Sequence, residues 1–294
     1  MTARDFVRIT TLNLWSAPSA SEAEGRLRAA ADDVARRRPD VLCLQEVALF
    51  DDDTSTADAL AEMCGMRVAV QGVFARKSVS AHGRNLVRPT GCAILTSLTS
   101  SVPWPDLSLP HSGGVVHGAV VAELTSATGR PWLVGSTRLA WGGNREPERQ
   151  AQVTGLELFF ARAEHRRAAY GVAVLCGDFN AAPDTDAVRF LTGRAALGGA
   201  GAYWVDAWEV AGDGAGFTSE AANSWARTQA SWAGTADPTQ LPGRRIDYVM
   251  VRGWVHGRPG GPLAARLAFT EPGADGTVAS DHWGVETDLW DPPL

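Results

Sequence analysis

Short apolar runs recur along the whole chain, each rich in Val, Ile, Leu or aromatic residues and bounded by Gly, Pro or Asp. Runs of this length and composition predict β-strands, because branched and aromatic side chains suit a pleated, half-buried surface. The predicted strands are Val7–Trp15, Val41–Val47, Arg67–Phe74, Cys92–Leu98, Gly114–Leu124, Trp132–Trp141, Val172–Cys176, Ile246–Val251 and Trp283–Leu289.

Two longer segments have the spacing of amphipathic helices. In Ser21–Arg38, apolar residues recur at intervals of three and four until Pro39, which cannot continue a helix. Pro147–Ala169 carries a similar apolar stripe, and shorter helices are predicted over Thr56–Cys64 and Thr185–Leu191.

The order of these elements bears on the fold class. Strands outnumber helices and the two do not alternate one for one, which favours an α/β sandwich with outer helices over a regular βαβ fold. Neither a repeat nor a linker divides the sequence, so one domain is predicted over residues 1–294.

The charge balance argues against a protein that grips duplex nucleic acid over a wide surface. The chain has 27 Lys and Arg against 33 Asp and Glu, for a net charge of −6. Proteins that neutralise many phosphates normally carry a basic surplus. Any contact with a polyanion is therefore expected to be local, and bound cations can offset part of an acidic site.

The cysteines and the apolar runs indicate which metal site and which cellular compartment to expect. Cys43, Cys92 and Cys176 lie inside apolar runs, and the chain has no C-x-x-C pair, so a thiolate zinc site is not expected. The first strand starts near residue 7 without a signal-like segment, and no apolar run reaches the length of a membrane span. A cytoplasmic protein is predicted.

Polar residues stand at the ends of several predicted strands, where a packed core rarely needs them. Each one alone is more often a turn or surface residue than a catalytic one. Together they form ordered motifs: Asn13, Gln45-Glu46, Gly177-Asp178-Phe179-Asn180, Arg245-Ile246-Asp247-Tyr248 and Ser280-Asp281-His282. In this order they resemble the endonuclease/exonuclease/phosphatase family over nearly the whole chain.

The resemblance implies a fold and a metal. The fold is a four-layer α/β sandwich of two packed mixed sheets flanked by helices. The metal is Mg²⁺, with Mn²⁺ as a possible substitute, held by Glu46 and Asp281 with support from Asn13. Carboxylate and amide oxygens are the ligands that Mg²⁺ prefers.

The resemblance also implies a reaction, the hydrolysis of a phosphate ester by water. His282 is expected to act as the base and Asp247 to orient it, while Asp178 and Asn180 position the nucleophile and the phosphate. The expected partner is an anionic phosphate ester, either a small molecule or a nucleic acid. The oligomeric state is not predicted.

One position departs from the family pattern. The family usually has Thr-His-Leu in the strand before the long helix, whereas this chain has Thr137-Arg138-Leu139. Arginine can bind a phosphate but cannot give up its proton. If the preceding hairpin turns about Ala127-Thr128, His117 lies opposite Arg138. The hypothesis is that His117 supplies the imidazole and Arg138 a fixed charge; the alternative is a packed strand histidine.

The segment Ala75–Pro89 is locally basic and contains no acid. In an acidic protein such a cluster can receive an anionic substrate. A solvated surface loop is the alternative. The 11 tryptophans offer ring faces for a flat substrate group, although tryptophan is often buried for its area alone.

Two other functions remain open on the sequence. A specialised member of the family would use the same metal site for a different reaction on a secondary metabolite. A degenerate member would only bind. Retention of the metal and base residues argues against degeneracy.

Overall fold

The computed structural model describes residues 4–16, 20–50, 53–81, 84–104, 107–110, 117–166, 171–232, 237–253 and 256–294. The elements follow one another in this order: β1 (Phe6–Asn13), α1 (Ala20–Arg37), β2 (Val41–Ala48), α2 (Thr56–Cys64), β3 (Arg67–Ala81), β4 (Arg84–Thr96), β5 (Thr99–Pro103), β6 (Leu107–Leu109), β7 (His117–Thr125), β8 (Pro131–Arg138), α3 (Glu146–Arg166), β9 (Val172–Asp178), α4 (Asp186–Leu191), β10 (Trp204–Asp206), α5 (Ala207–Ala211), α6 (Ser224–Trp232), a 3₁₀ turn (Pro238–Gln240), β11 (Asp247–Arg252), β12 (Pro262–Ala268) and β13 (Gly284–Trp290).

These strands form two sheets. The first has the order β12-β13-β1-β2-β4-β3, and the second has the order β10-β11-β9-β8-β7-β5, with β6 also paired to β7. β1 runs parallel to β2 and β8 runs parallel to β9, while their other neighbours are antiparallel. Both sheets are therefore mixed.

The sheets pack face to face with helices outside. Ile9 and Ile94 of the first sheet share one core with Val134 and Val174 of the second. Helices α1 and α2 cover the outer face of the first sheet, and α3 and α4 cover the outer face of the second. The predicted four-layer α/β sandwich is confirmed, and the single domain over residues 1–294 stays a prediction.

The hairpin of β3 and β4 is longer than the sequence predicts. The segment Ala75–Pro89, predicted as a loop, lies within these two strands on either side of residues 82–83, which fall outside the described part of the chain. Its basic and polar residues lack the apolar alternation that marks a strand. Pairing between two backbones does not require that alternation, which is why the prediction failed here.

Several short elements were not predicted either, namely β5, β6, β10, α5, α6 and β12. They are only three to nine residues long and their apolar pattern is weak. Residues 114–116 of one predicted strand and 167–169 of one predicted helix lie outside the described residues. None of the described helices combines the length and the apolar character needed to cross a membrane.

Gly91 shows how closely the strands approach near the end of the first sheet. A Cβ atom at this position would lie 1.6 Å from the carbonyl oxygen of Gly72 on the paired strand. Backbone atoms occupy that space, so a larger residue there would push β3 and β4 apart.

We therefore expect Gly91→Ala to lower the free energy of unfolding by about 3 kcal/mol, the upper part of the range for overpacked sites. Urea unfolding followed by circular dichroism measures the loss. Gly143→Ala is the matched control, because a Cβ there meets nothing within 4 Å. Equal stability of the two variants would show that the strands are not in this close contact.

Candidate active site

Strand ends bring the polar motif residues to one end of the sandwich. β9 ends at Asp178, and the antiparallel β11 begins at Asp247, directly opposite it. β8 runs parallel to β9 and ends at Arg138, which is also opposite Asp178. Asn13 ends β1 beside the parallel β2, which carries Glu46. The register therefore brings the side chains together within each sheet, and the face-to-face packing of the two sheets brings the two groups together.

Glu46 has an unusual backbone that aims its carboxylate. It lies where the pairing of β2 with β4 shifts register, and its φ is 52°. A positive φ outside glycine costs about 1–3 kcal/mol and persists where surrounding structure enforces it. The Ser16 backbone N–H donates to Oε2 of Glu46 at 3.0 Å, and the Ser16 hydroxyl donates to the Glu46 carbonyl at 3.1 Å. These bonds fix the carboxylate in place.

Arg138 lies between two of the carboxylates. Its Nη2 is 2.8 Å from Oε1 of Glu46, and its Nε is 3.5 Å from Oδ2 of Asp178. Burial by itself would lower the pKa of Arg138, but Glu46, Asp178 and, more weakly, Asp281 raise it. The guanidinium is therefore charged. The carboxylates of Glu46 and Asp281 both raise the pKa of this one group.

Asp178 is held by amides. The side-chain amides of Asn13 and Asn180 each donate to its Oδ2 at 3.0 Å, and the Asn180 backbone N–H donates to Oδ1 at 2.9 Å. Asn180 itself has a φ of 49°. These donors hold both oxygens and fix the direction of the carboxylate.

Gly177 allows β8 to lie close to this motif. Its φ is 144°, and a Cβ atom would lie 1.9 Å from the carbonyl oxygen of Thr137. Only glycine fits both the dihedral angle and the space. The Gly-Asp-x-Asn motif thus has a steric reason for its first residue.

His282 and Asp247 form a buried pair. Nδ1 of His282 lies 2.9 Å from Oδ2 of Asp247. Burial by itself would lower the pKa of His282, but the charges of Asp247 and Asp281 and the hydrogen bond to Asp247 raise it to about 10. Burial raises the pKa of Asp247, and the charge of His282 opposes that rise. At neutral pH the imidazole is protonated.

Asp281 is fixed by Gln229 of α6 and by its neighbour Ser280. The Gln229 side-chain amide donates to Oδ2 of Asp281 at 2.5 Å, and the Ser280 hydroxyl lies 3.2 Å from Oδ1. The same hydroxyl lies 2.5 Å from the Asn13 carbonyl oxygen, which ties this loop to the end of β1. Asp281 therefore lies at the same end of the molecule as Asn13.

Three supporting residues were not predicted. Ser16 binds Glu46, Gln229 binds Asp281, and the Thr218 hydroxyl accepts the backbone N–H of Asp247 at 3.2 Å. They come from loops and from α6, which carry no strand or motif signal. Only Ser16, three residues after Asn13, was close enough in sequence to be found.

The predicted pairing of His117 with Arg138 is wrong. β7 and β8 pair Ala119 with Thr137, so the pair next toward the site is Gly118 with Arg138. The connection after Thr125↔Pro131 spans residues 126–130, so its centre lies half a residue beyond the predicted one and the pairing shifts by one residue. A shift of one residue moves a strand's side chains to the opposite face.

His117 consequently lies on the face of Ala119, which packs with α3. Burial, and then the charge of Arg138, lower the pKa of His117 to about 4. The residue still lines a small pocket together with Arg138, Glu46 and Thr90. Its proposed exchange of roles with Arg138 has lost its geometric basis, and a role in catalysis stays a prediction.

A second group of possible metal ligands lies in the site. One ligand atom from each of Asp178, Asp247 and His282 falls within 4.8 Å of the others. This group does not include Glu46 or Asp281, which were predicted as the metal ligands. The structure brings these three donors together, while Glu46 and Asp281 as metal ligands stay a prediction.

Comparisons with known proteins agree with the fold. The family model described as "Endonuclease/Exonuclease/phosphatase family" matches residues 10–282. Members of that family are hydrolases of phosphoester bonds and typically use divalent metals. No curated protein has a sequence that matches this chain.

Solved structures with the same fold include two bacterial proteins of that family. The one from Beutenbergia cavernae has a TM-score of 0.70 and 18% identity, and the match covers 98% of this chain and 72% of that chain. The one from Leptotrichia buccalis has a TM-score of 0.67 and 14% identity over 96% and 99% of the two chains. D. rerio TDP2, complexed with a single-strand DNA product, has a TM-score of 0.65 and 17% identity over 97% and 99%.

The His282–Asp247 pair generates a titration prediction. In metal-free Asp247→Asn, we expect the pKa of His282 to fall from about 10 toward the ordinary value of 6.5. The substitution removes the negative charge that raises this pKa most, while burial, which lowers it, remains. NMR titration of the histidine side chains measures it. Asp186→Asn, at an exposed position outside the site, serves as the control. An unchanged His282 pKa in Asp247→Asn would contradict the pairing.

Proposed function

The chain belongs to the endonuclease/exonuclease/phosphatase family, and on that basis we propose that it hydrolyses a phosphodiester or phosphomonoester with the help of a divalent cation. The proposal rests on one observation, that four carboxylates and two basic side chains meet at one end of the sandwich. They are Glu46, Asp178, Asp247 and Asp281, with Arg138 and His282.

The donors fit a divalent cation. Four carboxylates are opposed by one arginine and one imidazole, and buried carboxylates need compensating charge. Among the described residues, Oδ1 of Asp247 is also a buried oxygen with no hydrogen-bond partner. Glu46 and Asp281 would hold Mg²⁺, with Asn13 in support, and Mn²⁺ would substitute. When bound, the cation polarises a phosphoryl oxygen and neutralises charge that develops in the transition state.

The second group of donors is a less suitable place for Mg²⁺. It includes the imidazole of His282, whereas Mg²⁺ prefers oxygen ligands. His282 also shares a proton with Asp247 through Nδ1. We therefore assign His282 and Asp247 to proton transfer and not to metal binding.

The chain's own residues have distinct tasks in this proposal. Asp178, fixed by Asn13 and Asn180, orients the attacking water. Arg138 offers a planar, permanently charged fork that suits a phosphate. His282 accepts a proton only in its neutral form, and additional positive charge nearby lowers an imidazole pKa. In its charged form the imidazolium binds anionic phosphate instead.

Arg138 restricts the leaving group. The family pattern has a histidine here, which can protonate a leaving oxygen, whereas a guanidinium keeps its proton at every physiological pH. Esters whose leaving group is already a stable anion avoid this requirement. p-Nitrophenyl esters of this kind are therefore suitable first substrates.

We expect Mg²⁺- or Mn²⁺-dependent release of p-nitrophenolate from bis-p-nitrophenyl phosphate, from p-nitrophenyl phosphate, or from both. Asp178→Asn should lower kcat by roughly 10²–10⁴-fold, the usual contribution of a group that handles the attacking water. Asp186→Asn should retain full activity. Metal-bound wild type without activity on either ester would refute the proposed reaction.

An exposed tryptophan follows the end of β8, shortly after Arg138. Trp141 follows Arg138 by three residues, and its side chain is 72% exposed. Its neighbours are held firmly, because buried Arg149 donates to the carbonyls of Ala140 and Gly142 at 2.9 and 2.8 Å. The ring is thus presented by a rigid segment, as expected of a platform for a flat substrate group. A nucleotide ester, like the DNA product held by D. rerio TDP2, supplies both phosphate and ring.

If Trp141 stacks on the substrate, Trp141→Ala should raise KM for bis-p-nitrophenyl phosphate by about tenfold or more, since base–aromatic stacking contributes roughly 1–3 kcal/mol. The value of kcat should change little. Trp141→Phe, which keeps a ring face, should stay close to wild type. Equal KM values for all three proteins would exclude stacking by Trp141.

A further inference from the structure

Arg138, which is permanently charged, contacts Glu46, the carboxylate that the proposed function assigns as a metal ligand. The Nη2–Oε1 distance of 2.8 Å is that of a strong charge-assisted hydrogen bond. Both partners are largely withdrawn from solvent, with side-chain exposures of 21% for Arg138 and 5% for Glu46. Screening by salt is therefore weak.

A guanidinium and a divalent cation that bind the same carboxylate oxygen compete for it at short range, even though the oxygen has more than one lone pair. Their charges repel, and the repulsion is large where water is largely excluded. Titration does not relieve it, because arginine does not lose its proton. Oε2, the other oxygen of Glu46, already accepts the Ser16 backbone N–H. A cation that binds Glu46 at Oε1 therefore favours movement of Arg138 away from that oxygen.

The contacts that hold Arg138 permit the guanidinium to move away from Glu46. Its Nη2 reaches Glu46, but its buried Nε has no hydrogen-bond partner among the described residues and lies 3.5 Å from Asp178. The carboxylates around it are held more firmly, Asp178 by three donors and Glu46 by its fixed backbone. In an exchange, the guanidinium is the group that moves.

We propose that Arg138 is a built-in cation that competes with the divalent metal for Glu46. In the metal-free protein Arg138 neutralises Glu46 and Asp178 and keeps the site closed to weakly bound ions. Metal binding releases the guanidinium, which then binds the substrate phosphate. This inference rests on the proposed metal-dependent function. Competition from Arg138 makes the affinity of the site for metal lower than the carboxylates alone would give it.

Calorimetric titration with MnCl₂ tests the competition directly. Arg138→Gln should bind Mn²⁺ at least about tenfold more tightly than wild type, because no charge has to be displaced. Arg138→Lys keeps the charge and should stay nearer to wild type. Arg252→Gln is the matched control, since Arg252 forms a comparable ion pair with Glu157 at 2.7 Å, outside the site. It should leave Mn²⁺ affinity unchanged.

Thermal unfolding gives a second measurement without turnover. Metal-free Arg138→Gln should unfold at a lower temperature than wild type, because its carboxylates have lost their cation. Saturating Mn²⁺ should raise Tm more in Arg138→Gln than in wild type. A Tm increase that is equal or smaller in the variant would contradict the proposal.

The wild type also provides a test, should Arg138→Gln fail to fold. Its Arg138 side-chain Nε–H NMR signal, assigned as the one missing in Arg138→Lys, should shift as MgCl₂ is added, with the midpoint that calorimetric titration of the wild type with MgCl₂ gives. Folded Arg138→Gln with wild-type or weaker Mn²⁺ affinity, or an unmoved Arg138 signal at saturating Mg²⁺, overturns the competition. Mn²⁺ binding by Arg138→Gln but not by wild type supports the competition while refuting metal dependence of the natural protein. Absence of binding in both proteins overturns both.

Discussion

Buried negative charge at one end of the sandwich is the constraint that organises this molecule. Glu46, Asp178, Asp247 and Asp281 are each less than one tenth exposed. Carboxylates in such surroundings are stable only with hydrogen bonds or opposite charges around them. The hydrogen-bond donors and basic side chains of the site meet this need, and they leave some negative charge for a cation and a substrate to interact with.

The backbone accepts irregularity to meet that need. Glu46 and Asn180 both have positive φ values, and Gly177 takes a conformation and a contact that no other residue allows. Gly177 and Asn180 lie at or just after the end of β9, and Glu46 lies where the pairing of β2 with β4 shifts register. The regular strands position the irregular residues, and the irregular residues direct the carboxylates. A sandwich of two mixed sheets suits this division because several strands end at the same edge.

Those parts of the site that lie in strands could be predicted from the sequence, whereas the parts that depend on register or on loops could not. Asp178 and Asp247 follow or begin apolar runs, so their position at a sheet edge is visible in the pattern of residues. The His117–Arg138 pairing failed because it depended on a turn whose length differs by one residue, and the sequence does not specify that difference. Gln229 could not be found, because its partner Asp281 lies 52 residues away and only tertiary packing joins them.

The two basic residues contact three of the four carboxylates, and this division has a chemical consequence. His282 binds Asp247 and can exchange a proton, whereas Arg138 binds Glu46 and Asp178 and cannot. A site with histidine at both positions could pass a proton in at one side of the phosphate and out at the other. This chain keeps proton exchange on the side of His282 and places fixed charge on the other side. Under the proposed function, this chemistry suits a strongly anionic phosphate whose leaving group departs without help.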